Sequence, residues 1–143
     1  MDYKIAINNL QAKDFLRLWE SVGWDDPPLE HQVEAGLKKT LFSVTVSHND
    51  QVVGMGRLVG DGYIICYIQE LAVLPEFQGK GIGKAIMEKL LGYISDNAVP
   101  DTHVVAGLFA AKNKEAFYEN FGFNTRPNDT QGAGMQTEIK SKS

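Results

Sequence analysis

The chain has 143 residues, of which 43% are apolar and 22% charged, a size and balance that suit one packed domain and exclude a disordered or fibrous chain. Lys and Arg number 14 against 18 Asp and Glu, a formal charge of −4, so the basic excess that rewards contact with phosphate backbones is missing and nucleic acid is not an expected partner. The start Met1-Asp2-Tyr3-Lys4 lacks the basic region of a signal peptide, no apolar run approaches the roughly 18 residues of a membrane span, and the expectation is a cytoplasmic protein with no membrane partner. Cys66, the single cysteine, lies in the apolar run Tyr63-Ile64-Ile65-Cys66-Tyr67-Ile68. That excludes internal disulfides and Cys-rich zinc sites and reads as a buried structural thiol.

Tyr3 to Ile7 alternates as a short strand, and Phe15, Leu18, Trp19 and Val22 fall at the spacing of an amphipathic helix. Gly23-Trp24-Asp25-Asp26-Pro27-Pro28 breaks it, and Leu29, Val33 and Leu37 mark a second, shorter helix. Leu41 to Val46 and Val52 to Val59 read as antiparallel strands around a turn at Asn49-Asp50, closed by Gly60-Asp61-Gly62. Tyr63 to Leu74 is almost continuously apolar and β-prone, which predicts a long central strand covered on both faces. A glycine loop follows, then Ile82, Ile86, Leu90 and Ile94 at spacing four, a helix ending near Asn97. His103 to Phe109 is predicted as a strand, Asn113 to Asn120 as a helix stopped by Gly122-Phe123, and Gly134 to Ile139 as a last strand. Asn128-Asp129-Thr130 matches a glycosylation sequon but reads as a loop.

Gln78-Gly79-Lys80-Gly81-Ile82-Gly83 sits between the central strand and a helix start, where unpaired backbone N–H groups and the positive end of the helix dipole can take a pyrophosphate. Gly79, Gly81 and Gly83 permit positive φ and close approach of the main chain, and Lys80 and Lys84 add charge. A tight turn would also need glycine, so spacing must decide. A Walker A loop fails because Gln78 stands at its first glycine and Ala85 where a magnesium-binding hydroxyl belongs. A dinucleotide fingerprint fails because Ile86 and Lys84 stand at its last glycine in the two available registers.

The loop resembles the signature of the GCN5-related N-acetyltransferases (GNAT), Gln/Arg-x-x-Gly-x-Gly/Ala after the fourth strand. The resemblance extends through Leu71-Ala72-Val73-Leu74-Pro75-Glu76-Phe77 upstream and Asn113-Lys114-Glu115-Ala116-Phe117-Tyr118-Glu119-Asn120-Phe121-Gly122-Phe123 downstream. It implies an α+β, three-layer α-β-α fold with a mixed, mostly antiparallel sheet splayed between strands four and five, one N-acetyltransferase domain over residues 1–143, and acetyl-CoA as co-substrate. The backbone of Leu71, Ala72 and Val73 would then hold the pantetheine arm as an added strand. The loop from Gln78 through Gly79, Lys80, Gly81, Ile82, Gly83 and Lys84 would hold the pyrophosphate. Asn113 would contact the cofactor arm or cap the last helix, and Tyr118 would protonate the departing thiolate or serve as a half-buried aromatic.

An amine acceptor with a pKa near 10.4 is mostly protonated at neutral pH, so some group must take its proton. Glu70, on the central strand, is the first candidate, directly or through a water. Alternation puts Tyr67, Gln69 and Leu71 on one face and Glu70 on the other, unless a bulge reverses the parity. Gln69 could bind substrate or hold the water, and the fifth strand carries no glutamate. His31, His48 and His103 form no ligand spacing, so no metal is expected. The resemblance implies an acceptor between the first two helices, the central strand and the last hairpin, which nominates Trp24, Arg57 and Arg126, beside Trp19 and Phe42, which read better as core. The leading reading is transfer of an acetyl group to a primary amine of a small molecule by direct attack in a ternary complex. A protein N-terminus or lysine, a non-catalytic acyl-CoA sensor and a nucleotide-binding regulator are the alternatives, and a homodimer is left open.

Overall fold

The apolar spacings read above are realised in a computed structural model that describes residues 2–143. The chain divides into two compact units, one up to Leu108 and one from Phe109 on. In the first, β1 (Lys4–Ile7) leads into α1 (Ala12–Ser21) and α2 (Glu30–Lys38), which bury Phe15, Leu18 and Val33. β2 (Phe42–His48) and β3 (Gln51–Gly60) follow, joined by Asn49 and Asp50 at φ of 51° and 60°. Two successive positive φ values make the two-residue turn whose twist matches that of the strands it joins. β4 (Ile65–Val73), a single 3₁₀ turn at Pro75–Phe77, α3 (Ile82–Asn97) and β5 (Val105–Gly107) complete the unit.

The five strands lie in the order β1-β2-β3-β4-β5, antiparallel throughout except for the parallel pair β4 and β5. α3 covers one face. A Cβ added to Gly54 or Gly56 of β3 would come within 2.9 Å of Ile82 or 2.8 Å of Ile86, so only glycine lets the helix settle so near the sheet. Val53 and Met55 have the opposite parity and are also fully buried, so the other face is covered too, by α1, which packs on β3 and β4 and against α2. Arg17 of α1 ties the layers together, donating to the Val52 carbonyl at 2.8 Å. The fold is therefore the expected three-layer α-β-α arrangement around a mixed sheet.

Two predicted strands are shorter than expected. β4 begins at Ile65 because the Asp61 carboxylate accepts the N–H groups of Tyr63, Ile64 and Ile65 at 2.7, 2.7 and 3.1 Å. Donors used by that turn cannot enter a ladder. The same bonds hold the exposed Asp61 carboxyl below its usual pKa. β5 keeps three residues of the seven predicted from His103 to Phe109.

The second unit holds α4 (Glu115–Glu119), whose N-cap position is taken by Lys114, so Asn113, expected as the cap, lies one residue before it at φ 69°. Phe117, Tyr118, Phe121 and Phe123 meet edge-on around α4 and the Gly122 turn, with ring centroids 5.0 to 6.2 Å apart. The strand predicted over Gly134 to Ile139 does not form. Its backbone instead passes so near Phe109 that a Cβ on Gly134 would sit 2.7 Å from the ring. Asn128 of the sequon closes a loop, its side-chain oxygen accepting the N–H groups of Thr130 and Gln131 at 3.0 Å each.

Candidate active site

β4 changes character halfway along. Ile65, Cys66 and Tyr67 pair with β5, whereas the ladder with β3 runs on to Val73. From Ile68 onward the two parallel strands have parted, and the β5-side edge of β4 carries no ladder partner among the described residues. Along the same stretch the register with β3 shifts. Arg57 faces Gln69 and Met55 faces Ala72, so Glu70 and Leu71 together oppose Gly56, a bulge with Glu70 at φ 46°. The alternation that would put Gln69 and Leu71 on one face is thereby broken. Leu71 Cδ1 lies 3.3 Å from the Cβ position of Gly56, beside Ile86 and Leu90 on the α3 face, while Glu70 reaches Arg57 on the side of Gln69.

The Arg57 guanidinium grips that carboxylate with both arms, Nε to Oε2 at 2.6 Å and Nη2 to Oε1 at 3.1 Å. Nη1 donates to Thr40 Oγ1 at 3.0 Å, and the Thr40 hydroxyl donates to the Gly36 carbonyl at the end of α2. The two side chains are 15% and 12% exposed, a bidentate pair sheltered from water. Arg57 is thus engaged within the protein rather than presented to an acceptor. This pairing escaped sequence reasoning because it depends on cross-strand register and a bulge, and no spacing encodes either.

The glycine loop is fastened to the free half of β4, since the Gln78 side-chain amide donates to the Val73 carbonyl at 2.9 Å. Gly79 and Gly81 take φ of 76° and 85°, and a Cβ at either would meet nothing within 4 Å. Space remains for a ligand that approaches the main chain. Gly81 is the N-cap of α3, no side chain caps that end, and no acidic residue occupies the first turn. The first helical bond runs from Ala85 N–H to the Gly81 carbonyl at 3.0 Å, so the N–H groups of Ile82, Gly83 and Lys84 point out of the helix end without intrahelical acceptors. Gly83 lies inside the first turn of α3 and outside the positive-φ set, which narrows the conformational need for glycine to positions 79 and 81. Lys80 and Lys84 are exposed at this end, Lys84 4.0 Å from Glu88.

The remaining candidates are spread more widely. Trp24 is half-buried, edge-on to Trp19 at 5.2 Å, and Trp19 Nε1 donates to the Asp25 carbonyl. Arg126, in the second unit, donates to the Gly132 carbonyl at 2.6 Å and so braces its own loop. Tyr118 is largely buried on α4, and burial pushes its phenol above the ordinary value of 10.0, so it is protonated at neutral pH. Among the described residues no group of three or more His, Cys, Asp or Glu could hold a metal ion, and no helix is long and apolar enough to cross a membrane.

The geometry agrees with what the chain is similar to. Residues 40–125 match the acetyltransferase (GNAT) domain family. A crystal structure from meticillin-resistant Staphylococcus aureus, a protein of unknown function described as a probable acetyltransferase, is 31% identical with a TM-score of 0.85, over 96% of this chain and all of that one. A GNAT family acetyltransferase of Streptococcus pneumoniae is 26% identical with a TM-score of 0.79, over 97% of this chain and 100% of that one. Histone acetyltransferase TAP1 of Glycine max is 32% identical over 87% of this chain, and the chloroplastic GCN5-related N-acetyltransferase 2 of Arabidopsis thaliana 31% over 86%. The chain spans 56% and 54% of the length of those two plant proteins. With its loop, its bulged fourth strand and its parting fifth strand, the chain belongs to the GNAT acetyltransferase family.

Proposed function

We propose that the protein transfers the acetyl group of acetyl-CoA to a primary amine. The observation that carries this reading is the junction of two backbone surfaces in the first unit, the unpaired outer edge of β4 at Leu71 to Val73 and the uncapped N-terminus of α3, fastened to each other through Gln78. An amide-bearing arm pairs with the first as an extra strand would, and a pyrophosphate accepts from the second. Acetyl-CoA has both parts in that order, and when bound it supplies the thioester.

The residues then divide the work. Leu71, Ala72 and Val73 orient the arm, and the N–H groups of Gly79 to Lys84 hold the phosphates, with Asn113 assigned to the arm from its place in the matched motif. The acceptor nitrogen attacks the thioester carbonyl, the C–N bond forms as the C–S bond breaks, and the proton of the amine passes to Glu70 directly or through a water; Tyr118, assigned from its place in the matched motif, gives the thiolate its proton. Each Glu70 oxygen accepts from Arg57 and keeps a lone pair for this purpose. Gln69, beside Arg57 in register, and Trp24 are assigned to the acceptor side, which we propose takes a small-molecule amine. A second reading, a lysine or N-terminal amine of a protein, rests on the similarity to the soybean protein named as a histone acetyltransferase.

Thiol release from acetyl-CoA, measured against small amines, polyamines and lysine peptides, tests the proposal. Turnover with a small amine supports it, turnover confined to peptides transfers it to the second reading, and binding of CoA without turnover on any amine would make the protein a sensor. Tyr118→Phe should lower kcat about 10²-fold, the lower end of general acid catalysis because a thiolate is a tolerable leaving group, with CoA affinity unchanged.

A further inference from the structure

Glu70 is a glutamate at φ 46°, a conformation that side chains other than Gly, Asn and Asp rarely adopt and that persists only where surrounding contacts impose it. The contacts that can do so here belong to Arg57. Its fork fixes both carboxylate oxygens at 2.6 and 3.1 Å, and its third arm is anchored at 3.0 Å to Thr40, behind α2. Arg57 stands directly opposite Gln69, the last regular position of β4 before the bulge, and Ala72, opposite Met55, is the first after it. The grip therefore ties the last regular pair to the first residue of the irregularity, after which the backbone runs on to Leu71 to Val73.

We infer that Arg57 is a positioning residue: its ion pair with Glu70 holds the β4 bulge in the conformation in which the free edge of Leu71 to Val73 receives the cofactor arm. This rests on the reading of that edge as the acetyl-CoA site. It gives Glu70 a conformational duty separable from proton transfer, and explains why Arg57 serves as a fork rather than as a point charge, since lysine cannot hold both oxygens in one plane.

The test exploits glycine, which takes positive φ without restraint. Acetyl-CoA affinity is measured by calorimetry, and kcat with the best amine, for the wild type, Arg57→Met, Arg57→Lys and the double variant Arg57→Met/Glu70→Gly. The expected result is at least about a tenfold loss of affinity in Arg57→Met, a smaller loss in Arg57→Lys, and recovery in the double variant to within about threefold of wild type, because glycine at position 70 needs no clamp. In that double variant kcat stays low if Glu70 is also the base, so binding and chemistry are read apart. Wild-type affinity in Arg57→Met, or a double variant as weak as Arg57→Met, overturns the inference. Should Arg57→Met fail to fold, the double variant alone decides by the same threefold limit. A wild-type protein that does not bind acetyl-CoA would instead overturn the proposed function.

Discussion

The two halves of β4 belong to one strand and differ in pairing and in the residues they carry. Ile65 to Tyr67 pairs with β5, Cys66 and Tyr67 with β3 as well, in regular register, and the stretch buries Cys66, with Ile68 buried just beyond it. Gln69 to Val73 has β3 on one side only, contains the bulge and the positive φ of Glu70, and is held by a guanidinium and by the Gln78 amide. A strand paired on both sides has spent its hydrogen-bonding groups, whereas one paired on a single side can accept a ligand as its missing neighbour. On the proposed function, the comparison teaches that recognition depends on withholding a ladder partner, with side chains recruited to keep the withheld edge in one conformation.

Substitutions in the two halves should therefore separate stability from binding. The largest effect is expected where the regular half ends, at a residue still in unshifted register with Leu58 of β3. Ile68, 4% exposed, when cut to alanine should destabilise the fold by about 2–5 kcal/mol, yet leave KM for acetyl-CoA unchanged at temperatures well below the midpoint. A raised KM there would erase the distinction between the halves. Next comes the glycine loop beyond the free edge. Gly81→Val forces a β-branched residue to φ 85° at a cost of about 1–3 kcal/mol, and where that strain distorts the uncapped helix end, calorimetry should find CoA bound about 10- to 100-fold more weakly. Unchanged affinity in a folded Gly81→Val protein would remove the loop from the binding surface.

A smaller effect is expected at the fastening. Gln78→Ala deletes one exposed hydrogen bond to Val73, worth about 0.5–1.5 kcal/mol, and should raise KM for acetyl-CoA by less than about tenfold with kcat unchanged. A fall in kcat alone would give Gln78 a part in the chemistry. The smallest concerns Cys66, whose thiol is pushed above its ordinary value of 9.0 chiefly by burial and further by the Asp61 charge. A folded pKa above the unfolded one means that stability is fully present below the ordinary thiol value and is lost as pH rises through the folded value. Cys66→Ala should thus flatten the fall in denaturation midpoint above pH 9 while leaving the neutral-pH rates alone. An unaltered alkaline slope would show that the thiol does not titrate with unfolding.

Much of this was legible beforehand, because the informative signals were local. The stripe from Ile82 to Ile94 placed α3 at Ile82–Asn97, and the loop from Gln78 to Gly83 marked where that helix begins. Elements were harder to read wherever a side chain from elsewhere in the same unit intervened. Asp61 took the donors of Tyr63 and Ile64 and shortened β4, and Gly134 met Phe109 where a strand was predicted. Trp24, which reads as lying away from periodic packing, and Arg126, which reads as a charge for the acceptor, each have a partner within their own segment, Trp19 and the Gly132 carbonyl.

By itself the sequence determined the family, the order of elements up to α4 and the position of the glycine loop, since hydrophobic periodicity and glycine spacing act within a few residues of each other. Only the tertiary structure decided what Arg57 and Glu70 are to one another. They are 13 residues apart in the chain, and whether their side chains meet is set by which residue of β3 faces which residue of β4. A single extra residue in a bulge changes that register and leaves the periodic pattern on either side intact.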